Sequence, residues 1–182
     1  MCGRFYIDDG MAEEINKIIR NMDLKITGTK EVFPTNSVPI ITGEAGQKGI
    51  MDMIWGFKHF DPEKKSVLIN ARSETVLERR MFKDSVMNRR CVIPTAGFYE
   101  WDKDKHKIGF MADDSKVLYL AGFWKSGRFI ILTTQANHSI EDVHDRMPLT
   151  LERDEIENWL FDPESYRLTL QKRPGNLKRA LV

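Results

Sequence analysis

The sequence predicts an α+β fold in one domain: antiparallel strands, curled toward a barrel, with flanking helices. Three observations carry this reading. The chain has 182 residues, 41% hydrophobic and 30% charged, which suits a single domain of about 100–200 residues with a filled core. From residue 90 onward, apolar runs alternate with short polar turns, the pattern of a strand meander. Helical spacing is confined to separate stretches, so the helices stand apart from the strands. No repeat or Pro/Ser-rich linker divides the chain, so residues 1–182 read as one domain with a short irregular tail over 162–182.

Arg4-Phe5-Tyr6-Ile7 reads as a short strand with Cys2 at its mouth. Asp8 or Asp9 then caps a helix in which Met11, Ile15, Ile18, Ile19 and Met22 fall on one face, with Glu13 and Glu14 near its favourable N-terminal end. Val38 to Thr42 and Ile50 to Trp55 flank a Gly-rich stretch and form a hairpin. Ser73 to Asn88 is expected to be mostly helical, with Thr75 and Glu78 spaced as a capping box. Cys91 to Trp101, Ile108 to Ala112, Val117 to Trp124 and Arg128 to Thr134 are the strands of the meander. A last helix near Glu152 to Leu160 turns Ile156, Trp159 and Leu160 inward before Asp162-Pro163.

Composition excludes several classes of function. Lys plus Arg number 28 and Asp plus Glu 27, so a net charge of +1 leaves no bulk positive field for nucleic acid; any such site is a local patch. No apolar run approaches the length of about 18 residues that spans a bilayer, and Met1-Cys2-Gly3-Arg4 opens no signal peptide, so a cytoplasmic location without membrane partners is expected. Cys2 and Cys91 are too few for a disulfide framework or a four-thiolate zinc site, and His59, His106 and His138 lack metal-ligand spacing. No metal or cofactor is expected.

Cys2 is the most informative position. Removal of the initiator Met would leave a 1,2-aminothiol: an α-amine with an ordinary pKa of about 7.7–8.0 beside a thiol of about 8.5. The amine condenses with an aldehyde to an imine, and the thiol closes a five-membered thiazolidine. Taken alone, a small buried core residue is the commoner explanation of a Cys here. Asn70, after an apolar run, offers an amide that orients an amine or a substrate oxygen, or else simply forms a turn. Glu100 stands between Tyr99 and Trp101, where desolvation would raise its pKa and suit it to proton transfer, or faces water at a strand end. His144, beside Asp145 and Arg146, is a proton shuttle or an ordinary loop histidine.

Four blocks taken together are more specific than any one of them. Met1-Cys2-Gly3-Arg4-Phe5, the run Ile69-Asn70-Ala71-Arg72-Ser73-Glu74-Thr75, the run from Arg90 to Trp101, and His144-Asp145-Arg146-Met147-Pro148 resemble, in order, the SOS response-associated peptidase (SRAP) family. The resemblance implies a mixed domain of strongly bent antiparallel strands that shields abasic sites in single-stranded DNA. It implies that Cys2 links to DNA after loss of Met1, that Asn70 and Glu100 serve its chemistry and that His144 completes the site, with autoproteolysis and strand cleavage by β-elimination as further activities. Single-stranded DNA containing abasic sites is then the partner, nucleoid association follows binding, and a monomer is expected.

Arg4 and Arg72 adjoin the proposed site as phosphate contacts, and Phe60 is a stacking residue for a base. The chain departs from the family pattern in two places. Trp55-Gly56-Phe57-Lys58-His59-Phe60 lacks the usual proline and later tryptophan, and an acidic residue stands near Glu31-Val32-Phe33-Pro34, where it would repel phosphate. Two rival readings stay open at this stage. An N-terminal-nucleophile amidohydrolase also begins Met-Cys-Gly and would turn over an amide without DNA. A non-covalent single-stranded DNA-binding module would bind in a salt-sensitive way without Cys2.

Overall fold

The computed structural model describes residues 2–19, 23–59, 61, 63–112 and 117–180; Met1, Met22 and Phe60 lie outside them. The chain begins with β1 (Arg4–Ile7), α1 (Asp9–Ile18), β2 (Lys30–Val32), β3 (Ser37–Glu44) and β4 (Gln47–Trp55). Short strands β5 (Phe57–Lys58), β6 (Val67–Leu68) and β7 (Asn70–Arg72) lead through a 3-10 turn to α2 (Arg80–Asn88). Then come β8 (Arg90–Thr95), β9 (Gly97–Trp101), β10 (Lys107–Met111), β11 (Leu118–Lys125) and β12 (Arg128–Gln135). The last elements are β13 (Arg146–Pro148), β14 (Thr150–Leu151), α3 (Glu155–Phe161), α4 (Tyr166–Thr169) and β15 (Lys178–Ala180). Strands dominate and the helices flank them, an α+β arrangement.

The strands form a five-stranded sheet, β15-β10-β9-β1-β2, an eight-stranded sheet, and the small pair β5-β6. In the larger sheet β12, β4, β3, β8 and β11 pair in a closed ring. Not all pairings are antiparallel as expected. β4 and β7 follow one another along one edge of β12, and both run parallel to it. The reason is local. At Gly56, where φ is +104°, the chain leaves the edge of β12, makes the β5-β6 excursion and returns as β7. Trp55 Nε1 donates to the Ile69 carbonyl at 3.1 Å and ties the two ends of the excursion together. Asn70 is thereby fixed opposite Ile131.

α1 is capped as its sequence implies: Asp8 Oδ1 accepts the Met11 N–H at 2.7 Å. Met11, Ile15 and Ile19 are buried against the core, while Ile18 is only partly covered. The helix expected over Ser73 to Asn88 is shorter. Ser73 N–H still donates to the Thr133 carbonyl at 2.8 Å, so the segment remains tied to β12, and Thr75 makes no side-chain cap. Helix begins at Arg80. Residues 162–182, expected as an irregular tail, hold α4 and β15, the latter paired with β10.

The run Cys91 to Trp101, expected as one strand, divides at Ala96 and belongs to both sheets. The buried Thr95 hydroxyl lies 2.6 Å from the Tyr6 carbonyl and accepts the Gly97 N–H at 3.0 Å, so a side chain replaces ladder bonds at the corner. A Cβ at Gly97 would stand 2.4 Å from both the Phe110 carbonyl oxygen and the Tyr6 hydroxyl. Backbone therefore passes where no side chain fits. Gly97→Ala is expected to lower stability by about 2 kcal/mol or more, the usual scale of overpacking, read as a reduced urea midpoint with unchanged slope.

Candidate functional site

β1 and β9 pair with Arg4 opposite Tyr99, which carries the segment preceding β1 toward Glu100. Side chains alternate along β9: Phe98 and Glu100 turn toward the core, Tyr99 and Trp101 toward the outer face. Glu100 is only 3% exposed. Burial raises its carboxyl above the ordinary 4.5, and the nearby negative charge of Asp145 acts in the same direction. Its proton is retained closer to neutral pH.

Cys2 is fully buried, its Sγ 3.8 Å from the Arg4 carbonyl oxygen. Burial pushes its thiol up, and the Glu100 carboxylate adds to the effect, so the sulfur is a protonated thiol at neutral pH. Asn70, on β7, donates from Nδ2 to the Cys2 carbonyl at 2.8 Å. Its Oδ1 is buried and has no hydrogen-bond partner among the described residues. A buried acceptor in that position is an open place for a donor.

His144 enters from the opposite edge of β12, two residues before β13. The Arg146 backbone N–H donates to His144 Nδ1 at 3.0 Å, which leaves the proton of the neutral ring on Nε2. Asp145 Oδ1 also lies 2.8 Å from Nδ1, an ion pair only if the ring is charged. Burial lowers the His144 pKa below 6.5, and the backbone N–H is a donor at every pH, so the neutral ring is the form that fits near pH 7.

Asn70 and His144 are joined by a network that the sequence reading missed. Arg146, buried on β13, makes a bidentate pair with Glu74 (Nη1–Oε1 2.7 Å, Nη2–Oε2 2.8 Å) and donates to the Thr133 carbonyl at 2.7 Å. Glu74 follows β7, Thr133 lies on β12, and Arg146 precedes Met147 in the block that holds His144. The pair thus clamps the strand of Asn70 to the segment of His144 across β12. Its only trace in the sequence is two opposite charges inside two blocks far apart in the chain.

Arg4 is partly buried. Its guanidinium lies 4.3 Å from the Phe33 ring centroid and 5.0 Å from that of Trp101, with Nη1 3.3 Å from Glu31 Oε2. Arg72 is exposed at the end of β7. Phe60 is outside the described residues. Arg90 is buried and donates to the Val86 and Asp162 carbonyls. Among the described residues, Asp102, Asp104 and His106 bring potential metal-ligand atoms within 4.8 Å of one another, at the turn before β10. There Asp102 already accepts the backbone N–H groups of Asp104 and His106.

Residues 1–179 match the family described as SOS response associated peptidase (SRAP). The chain is 27% identical over 194 residues to the abasic site processing protein YoqW of Bacillus subtilis (strain 168), covering 94% of this chain and 87% of that protein. It is 27% identical over 178 residues to the abasic site processing protein YedK of Escherichia coli (strain K12), covering 88% of this chain and 79% of the relative. A solved protein from Bordetella bronchiseptica superposes with a TM-score of 0.80 at 23% identity, over 100% of this chain and 99% of that one, a likeness of fold.

The buried acid yields a prediction about stability. Its pKa is higher folded than unfolded, so the folded state binds more protons once pH exceeds the unfolded value. Stability conferred by the neutral carboxyl is present below about pH 4.5 and is lost as pH rises through the folded pKa. Glu100→Gln removes that loss: thermal unfolding of the variant is expected at higher temperature than wild type at pH 8, with the difference shrinking at pH 4.5.

Proposed function

The chain belongs to the SOS response-associated peptidase family, and from that premise we propose that it captures abasic sites in single-stranded DNA through an N-terminal Cys2 freed by loss of Met1. The observation that carries this reading is the Asn70 amide, which clasps the Cys2 carbonyl with Nδ2 while its buried Oδ1 stands ready for a donor. A Cys2 α-amine would be that donor. Held by Asn70, the amine is positioned rather than dissolved, which is the larger part of what speeds reaction with a dilute lesion.

The chemistry then follows in balanced steps. The α-amine nitrogen attacks C1′ of the ring-opened sugar, forming a C–N bond and a carbinolamine. Loss of one water gives the imine, and the departing hydroxyl needs a proton. Glu100, with its raised pKa, is the acid suited to supply it. The Cys2 sulfur next adds to the imine carbon, its proton passes to the nitrogen, and a thiazolidine results. His144, neutral near pH 7, relays protons among these groups. If the imine persists instead, loss of a proton from C2′ and departure of the 3′ phosphate cleave the strand, so lyase activity competes with capture. Hydrolysis of the Met1–Cys2 bond would draw on the same acid and imidazole. Arg72, exposed two residues from Asn70, is suited to a backbone phosphate.

Mixing the protein with an abasic single-stranded oligonucleotide is expected to give a heat-stable adduct on a denaturing gel, with an intact mass that corresponds to loss of Met1, addition of the DNA and release of one water. Cys2→Ala abolishes that adduct; a stable crosslink in this variant overturns the mechanism. Glu100→Gln is expected to slow capture by roughly 100-fold or more, the scale of general acid catalysis.

A further inference from the structure

The outer face of the five-stranded sheet carries a cluster that the capture chemistry does not use. Register pairs Arg4 with Tyr99, Tyr6 with Glu31 and Lys107 with Trp101, which puts all six residues on one face. Lys107 Nζ lies 3.7 Å from the Tyr99 ring centroid, and Arg4 lies over Phe33 and Trp101. Glu31 stands between the two cations. Its Oε2 takes Arg4 Nη1 at 3.3 Å and its Oε1 takes Lys107 Nζ. The bond from Lys107 holds the Glu31 carboxyl below its ordinary range, so the carboxylate is charged throughout the neutral range.

This arrangement matches a phosphodiester in charge and shape. A carboxylate presents two oxygens and one negative charge, as do the two non-bridging oxygens of a backbone phosphate. Here each oxygen has its own cation. The site lies beside the reactive end of the chain, because Arg4 is two residues, at most about 7 Å, from Cys2. Phe33 is 42% exposed, an aromatic surface next to Arg4 on which a base can stack. All three charged side chains are between 25% and 32% exposed, so the ion pairs can open to solvent and to a ligand.

We propose that Arg4 and Lys107 form a phosphodiester-binding site in which Glu31 is a resident anion, displaced when the nucleotide flanking an abasic site enters. The proposal rests on the reading of Cys2 as a DNA-capturing group and adds to it a source of selectivity. An intact strand gains the two cations only by breaking the contacts of Glu31, so its non-covalent binding is held weak. A strand that also reacts at Cys2 is retained by the covalent bond. Discrimination therefore comes partly from a group that opposes DNA.

The test uses fluorescence anisotropy with an unmodified oligothymidylate over a series of salt concentrations. Glu31→Gln is expected to bind this intact strand roughly tenfold more tightly than wild type, as for removal of a like charge from a binding face. The slope of log affinity against log salt is expected to steepen by up to about 0.7, one more phosphate neutralised. Equal or weaker binding by a folded Glu31→Gln overturns the proposal and makes Glu31 a tie between β1, β2 and β10. Should that variant fail to fold, Lys107→Gln replaces it: weaker binding of the intact strand supports the site, and unchanged binding overturns it. Capture of an abasic oligonucleotide on a denaturing gel is scored separately. Tighter binding by Glu31→Gln with no crosslink in wild type leaves the phosphate site standing and overturns the chemistry at Cys2.

Discussion

The passage of one chain between two sheets at Thr95-Ala96-Gly97 is the constraint on which the rest of the arrangement depends. A strand that changes sheets must turn without leaving backbone groups unpaired in the core. The Thr95 hydroxyl meets that requirement by reaching the Tyr6 carbonyl and taking the Gly97 N–H, and the absence of a side chain at Gly97 lets β1, β9 and β10 close together. Because Tyr6 is on β1, the same hydroxyl that turns the chain also anchors the strand that follows Cys2. Glu100 is carried three residues beyond the corner, on the inward face of β9. The acid and the cysteine are therefore neighbours through one shared corner.

Alternation then gives the smaller sheet two unlike electrostatic faces. Inward, burial disfavours the charge of Glu100. Outward, Glu31 lies between Arg4 and Lys107, which favour its charge. Two carboxyl groups within a few strands of one another are thus pushed in opposite directions, one toward holding a proton and one toward giving it up. A carboxyl buried beside a thiol costs stability, and such perturbed groups cluster where a protein does chemistry.

Much of this was legible in the residues. Asp8 capping α1, the strand at Arg4–Ile7, the hairpin of β3 and β4 and the burial of Trp159 and Ile156 follow from spacing and turn chemistry. The convergence of Cys2 and Asn70 was foreshadowed by the family blocks, not by any local pattern. What escaped was long-range. Nothing in the run Arg90 to Trp101 marks a change of sheet except a threonine and a glycine of ordinary appearance. The helical spacing after Ser73 was real, yet the bond from Ser73 to Thr133 held the first turn in a ladder. Glu74 and Arg146 are 72 residues apart, and charge alone does not tell which of many partners an arginine meets. The parallel pairings with β12 depend on an excursion whose ends meet only in three dimensions.

That excursion has a consequence for how the scaffold tolerates change. β4 ends against Phe129 and β7 begins against Ile131, so the chain leaves and rejoins β12 at adjoining positions, and the indole of Trp55 holds the junction shut. Residues 59–66 can lengthen or shorten without displacing Asn70, whereas Phe57 is buried against Phe82 and Phe123 and stays with the core. The surface formed by that segment is thereby uncoupled from the position of Asn70.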